Sequence, residues 1–256
     1  MLKYMKDNQF KQPYDYLYFS ELSSTNDYAK DNYQNFTKPT VILAAKQTAG
    51  RGRTGHKWIS DEGTLTMSIV IKNDFCLLDE DLLSKITLIV GIAVNKVLNK
   101  TIHTKDSVLI KWPNDQIYQN KKIAGILAEA VTMNNAVQVV AIGIGINVNT
   151  PTEDYKIEGN NTITSIKAIT KMELNLKMFS HIIAMAVLDE IASCNKSLDL
   201  EYLNEKNYLK NKEVTFMKNG KEESGLVLKI NDKGSLEVIK NNNIYEIKSG
   251  EVSLIR

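Results

Sequence analysis

Between Lys46 and Trp58 the chain reads KQTAGRGRTGHKW, gathering three glycines, two arginines, two lysines and a tryptophan into one turn-rich stretch. Glycine lets the backbone take positive φ and bring its N–H groups against a ligand. Guanidinium groups pair with carboxylate or phosphate oxygens in bidentate fashion, and an indole offers a flat apolar face to a planar ring. This is the composition of a nucleotide-handling loop. Three further segments carry polar or glycine residues that a scaffold does not need: Ser24 to Asn26, Lys111 to Lys122 with its KWPND turn, and Gly143 to Asn147. Lys111 and Asp115 stand at the two ends of that turn, and Lys122 opens the next strand. Two lysines and two arginines can surround a polyphosphate, while Asp115 can hold a magnesium ion or keep a lysine in place.

The elements around these segments decide between readings. Gly50 to Gly55 satisfies GxGxxG, but that fingerprint needs a strand before it and a helix directly after it. Val41 to Ala45 supplies the strand, whereas Thr64 to Ile71 is β-branched and alternating, a second strand. A dinucleotide fold is therefore rejected. An arginine-glycine RNA-binding tail is rejected too, because this loop is short and set between apolar strands. Tyr14 to Phe19 reads as a strand, followed by a helix with Ser23, Ser24 or Thr25 as N-cap and Asp27 in its first turn. Leu82 to Leu98 repeats apolar residues at three- and four-residue steps and should pack on a sheet. The run from Ser107 reads strand, turn, strand, with Ile123 to Val131 joined through TMNN to a strand starting at Ala136. Gly143 and Gly145 weaken that last strand, which normally marks a close approach of backbone or ligand. Thr162 to Thr170, Leu176 to Ala192 and Leu200 to Leu209 read as helices. From about Asn211 short alternating strands with turn signals predict a small β-barrel. The expected division is 1–209 for a catalytic domain and 210–256 for the barrel.

Composition sets outer bounds. With 256 residues, 43% hydrophobic and 24% charged, the chain is long enough for a full core. A formal charge of +2 is too small for bulk nucleic-acid or membrane binding, so any basic function is local. Cys76 and Cys194 show no zinc spacing, and only His56, His103 and His181 are available for a histidine-based triad. The N-terminus lacks an apolar secretory core, and no uncharged run approaches the ~20 residues needed to cross a bilayer. A cytoplasmic protein with reduced thiols is expected.

Taken together, STN, QTAGRGRTGHKW, KWPND followed by KKIAGIL, and GIGINVN stand in an order and spacing that resembles the biotin protein ligases. The resemblance runs from about Tyr16 to the C-terminus. It implies an α+β fold, with a mixed sheet and helices on one face like the catalytic core of class II aminoacyl-tRNA synthetases, and a C-terminal SH3-like barrel. It also implies a reaction: biotin is adenylated by ATP with magnesium and then transferred to a lysine of a biotin carboxyl carrier protein. Because STN begins at Ser24, the DNA-binding domain of bifunctional members is not expected, and DNA binding with it. Pairing through sheet edges would allow a homodimer.

Placed by motif, the resemblance puts Ser24, Thr25, Asn26 and Gln47 around the biotin head, with Gly125 allowing close approach. Gly50, Arg51, Gly52 and Arg53 would close over the biotinyl chain and the phosphate. Trp58 would stack on the adenine or the alkyl chain, Lys122 would touch the biotin carboxylate and the α-phosphate, and Asn147 would read the adenine edge. Lys111 and Asn114 would line the nucleotide side. Asp115 is left as base, orienter or metal ligand. Family members often carry further arginines where this chain has Thr54 and His56, which implies looser retention of biotinyl-AMP here.

Overall fold

The computed structural model describes residues 13–61, 63–74, 78–151, 162–194, 197–218, 220–248, 250 and 252–255. Cys76 lies outside them. The first part of the chain comprises β1 (Asp15–Leu22), α1 (Thr25–Asn32), β2 (Thr40–Gln47), β3 (Thr64–Lys72), α2 (Glu80–Ile102), β4 (Leu109–Lys111), β5 (Asp115–Tyr118), β6 (Lys121–Met133) and β7 (Ala136–Asn147). It ends with α3 (Ile166–Thr170), α4 (Leu176–Ser193) and α5 (Leu200–Glu205). After them come β8 (Glu213–Lys218), β9 (Lys221–Ile230), β10 (Leu236–Lys240), β11 (Asn243–Ile247) and β12 (Val252–Leu254).

Seven strands form a mixed sheet in the order β1-β2-β3-β7-β6-β5-β4, in which β1 and β2 are parallel and the other neighbours antiparallel. Side chains alternate across it with period two. Leu65, Met67, Ile69 and Ile71 of β3, with Val140, Ile142, Ile144 and Ile146 of β7, enter the large core shared with α2 and α4. Val70, Val139 and Ala141 face the other way, into a small cluster with Ala29 of α1 and Phe36. The helices therefore cover both faces, not one as the resemblance implied. Two helical expectations also shorten. Ile163 bridges Lys122, so α3 starts only after Ser165, whose Oγ caps Ala168 N at 3.1 Å. Ile110 takes up the backbone beyond Glu205, donating to Lys206 O at 2.8 Å and accepting from Tyr208 N at 2.9 Å, which ends α5.

The C-terminal strands form a five-stranded antiparallel sheet in the order β11-β10-β9-β8-β12. Among the described residues no ladder joins β11 to β12, so this sheet is open where a closed barrel was expected. It is not detached. Trp112 of the KWPND turn is buried and donates its indole N–H to Gly234 O at 2.9 Å, and Leu236 and Val238 belong to the same apolar core as α2. No helix among the described residues is long and apolar enough to cross a membrane.

Candidate active site

Register explains the glycines. Thr66 pairs with Gly145, Gly145 with Gly125, and Gly125 with Asp115, so one row crosses four strands with almost no side chain in its middle. The adjacent row runs from Ser68 through Gly143 to Leu127. On this face β7 reads Val139, Ala141, Gly143, Gly145 and Asn147, giving way from packing residues to a bare floor. The floor is built for close contact. A Cβ on Gly143 would stand 2.8 Å from Asn26 Oδ1, and one on Gly145 would stand 2.4 Å from the Trp58 ring.

The N-terminus of α1 walls one end. Ser24 caps the helix, its Oγ accepting from Asp27 N at 3.3 Å. Thr25 donates from N and Oγ1 to Gln47 Oε1 at 2.8 and 3.1 Å. Ser68 Oγ lies 2.7 Å from Thr25 Oγ1 and 2.6 Å from Asn26 Oδ1, while Asn26 Nδ2 donates to Leu127 O at 3.1 Å and Glu129 Oε2 at 2.7 Å. The capping reading of Ser24 thus holds, and all three residues are buried.

The glycine-arginine loop folds back as a hairpin over the floor. Trp58 N donates to Gly50 O at 3.0 Å and Gly52 N to His56 O at 2.6 Å, with Arg51 bridged to Lys57. Thr54 sits at φ 50°, a conformation costly for a β-branched residue. Trp58 lies on Gly145, and its buried Nε1 has no hydrogen-bond partner among the described residues. Lys122 Nζ is 5.6 Å from the Trp58 ring and 2.7 Å from Asp115 Oδ1. Lys111 is the ladder partner of Asp115. Asn114 donates to Ile126 O at 3.1 Å, and Arg53 reaches Asn114 Oδ1 at 3.5 Å and Gly250 O at 3.4 Å. Asn147 donates to Thr164 O at 3.1 Å and Lys122 O at 3.4 Å, fixing the strand that carries Lys122.

Arg51 differs from the other cations. Both of its terminal nitrogens donate to Asp27, each at 2.6 Å, and Glu129 lies 3.6 Å away. Lys30 contacts Glu129 at 2.7 Å and Asp27 at 3.2 Å. The Arg51 guanidinium, then Lys30, bring the Asp27 carboxyl down to about 2 against its burial. Burial would raise Glu129, but hydrogen bonds from Lys30 and Asn26 outweigh it and its carboxyl is lowered. Ser68, Glu129 and Lys30 were not singled out from sequence. Ser68 had a signal, as the polar member of the alternation Thr64, Thr66, Ser68 within β3. Lys30 and Glu129 had none, being 99 residues apart.

The structure thus brings the four segments to one groove. Asp115 is engaged by Lys122, and among the described residues no group of three or more His, Cys, Asp or Glu could hold a metal ion.

A mixed sheet with a glycine floor, a lysine-carboxylate pair and a basic hairpin is the frame this chain presents. The chain belongs to the biotin/lipoate A/B protein ligase family, whose model matches residues 18–147. It is 36% identical over 152 residues to the bifunctional ligase/repressor BirA of Bacillus subtilis, covering 59% of this chain and 45% of that one. With BirA of Escherichia coli K12 it shares 29% over 243 residues, 91% of this chain and 72% of that protein. The chain thus spans under half the length of the Bacillus relative in that match. Among solved structures it is similar to the biotin protein ligase of Aquifex aeolicus in complex with biotin and ATP, with TM-score 0.79 and 27% identity over 94% of this chain and 99% of that one.

Proposed function

We propose that this chain is a biotin protein ligase that forms biotinyl-5'-AMP from biotin and ATP and passes biotin to a lysine of a carboxyl carrier protein. One observation carries the reading: Lys122, braced by Asp115, stands at a glycine floor under Trp58. The similar Aquifex enzyme, which binds biotin and ATP, supports it.

Attack of the biotin carboxylate on the α-phosphorus joins two anions, and pyrophosphate leaves as the P–O bond to it breaks. Lys122 suits both anions at once, and Lys111 and Arg53 lie on the nucleotide side; such fixed charge is usually the largest catalytic contribution. Magnesium would arrive with the nucleotide phosphates. Ser24, Thr25, Asn26, Gln47 and Gly125 would surround the biotin head, Gly50 and Gly52 the chain, and Asn114 and Asn147 the nucleotide. Because Asn147 Nδ2 already serves backbone carbonyls, an adenine amino group would meet its Oδ1. The buried Trp58 N–H would gain an acceptor from the ligand. In the second step a neutral lysine amine attacks the anhydride carbonyl, AMP leaves, and Asp115 orients the amine. Closure of the hairpin keeps out water that would hydrolyse the anhydride.

The class II synthetase-like catalytic part to residue 209, an SH3-like C-terminal part from 210, a homodimer through sheet edges and a cytoplasmic location complete the proposal. The test is to incubate the protein with ATP, magnesium and either biotin or lipoate and to measure pyrophosphate. Biotin-dependent release is expected. Release with lipoate alone would move the chain to the other branch of its family, and release with neither would leave a binding protein.

A further inference from the structure

In the glycine-arginine loop the Arg51 guanidinium is already held by protein carboxylates. Its side chain forms a two-pronged pair with Asp27, with Glu129 behind, while Lys30 holds both acids in place from the other side. Asp27 stands in the first turn of α1, directly after the residues that wall the groove, and α1 is anchored through Asn26 to Leu127 O and Glu129 on β6. Arg51 is also bridged to Lys57, one residue from Trp58. A load path therefore runs from α1 through Asp27 and Arg51 to the indole on Gly145. At the other end of the hairpin Arg53 contacts, among the described residues, Asn114 Oδ1 at 3.5 Å and Gly250 O at 3.4 Å.

We propose that Asp27 is a positioning residue, and that its pair with Arg51 is the strap that holds the hairpin shut over the glycine floor. The ligand retained beneath it is the acyl-adenylate of the reading above, on which that part of the inference rests. The strap itself does not depend on it. Geometry separates the two arginines: Arg51 is held in a two-pronged pair at 2.6 Å, whereas Arg53 reaches Asn114 Oδ1 only at 3.5 Å.

The test uses the full chain without ligand. Trypsin cleavage at Arg53–Thr54 and Lys57–Trp58 is followed by mass spectrometry in wild type, Asp27→Asn, Asp27→Glu and the swap Asp27→Arg with Arg51→Asp. Asp27→Asn should accelerate cleavage about 5-fold, the scale of one partly exposed ion pair, with Tm unchanged. Asp27→Glu and the swap should restore protection. With biotin and ATP, Asp27→Asn should also release adenylate into solution faster while pyrophosphate formation falls less. Unchanged cleavage in Asp27→Asn would overturn the strap, as would failure of the swap to restore protection. Faster cleavage in a protein that forms no adenylate would uphold the strap and sink only the reading of the ligand.

Discussion

Two neighbouring glycines on β7 should respond to the same substitution to different degrees. In Gly145→Ala the new methyl would stand 2.4 Å from Cε2 and Cζ2 of Trp58, well inside the optimal carbon separation of about 3.5–4.0 Å. Trp58 belongs to the hairpin, so the hairpin yields and the sheet does not. The stability cost should sit at the low end of overpacking, about 1 kcal/mol, or roughly 2–4 °C in Tm. In Gly143→Ala the methyl meets Asn26 Oδ1 at 2.8 Å and Nδ2 at 3.0 Å. Asn26 is 4% exposed and tied to Ser68, Leu127 and Glu129, so it has nowhere to go. That cost should approach about 3 kcal/mol, near 6–12 °C. Gly91→Ala in α2 is the control: its Cβ would find only ordinary contacts, with Gln116 Nε2 at 3.6 Å and Ile126 Cδ1 at 3.8 Å, and it should gain about 0.5–1 kcal/mol. Thermal unfolding gives the order. Tryptophan emission gives the cause, because Trp58 lies against Gly145 whereas the Trp112 indole is held on Gly234 O, so Trp58 should shift in Gly145→Ala. If Gly145→Ala melts as early as Gly143→Ala, or leaves the emission unchanged, Trp58 does not lie on the floor in solution.

Lys122→Met should lower biotin-dependent pyrophosphate release by about 10²–10³, the usual loss for one well-placed donor. Its Tm should fall somewhat, since the buried Asp115 Oδ1 loses its partner, so exchange of labelled pyrophosphate into ATP is measured below the transition on folded protein. Acid should open the hairpin. Asp27 lies near 2 when folded against 3.8 ordinarily, so its contribution is complete above the ordinary value and is lost as pH falls through the folded one. Trypsin-independent probes such as Trp58 emission should therefore change between about pH 4 and 2 in wild type and not in Asp27→Asn. Trp112→Phe leaves Gly234 O unsatisfied in a buried contact and should cost about 1–3 kcal/mol. Because Trp112 and the C-terminal strands share one core, calorimetry should show a single transition that moves as one; two transitions would refute the shared core.

The chain reveals its strands more readily than what lies over them. The β7 glycines were legible because period-two alternation assigns Gly143 and Gly145 to one face, and no packing need explains two absent side chains there. The edges of α3 and α5 were misplaced for one reason: backbone at Ile163 and at Lys206 to Tyr208 is captured by Lys122 and Ile110, partners about 40 and 95 residues away in the chain, and a distant hydrogen bond outcompetes local helix propensity. The position of α1 was hidden differently. Its sequence, TNDYAKDN, buries Ala29 as its one buried apolar side chain and holds to the sheet through Thr25 and Asn26, so no apolar stripe announces which face it covers. The same polarity makes α1 useful, because a helix docked by hydrogen bonds can place Asp27 where Arg51 arrives. A motif names the residues of such a site. Which of its cations is free to meet a ligand depends on carboxylates such as Asp27 and Glu129, and they enter only when the chain has folded.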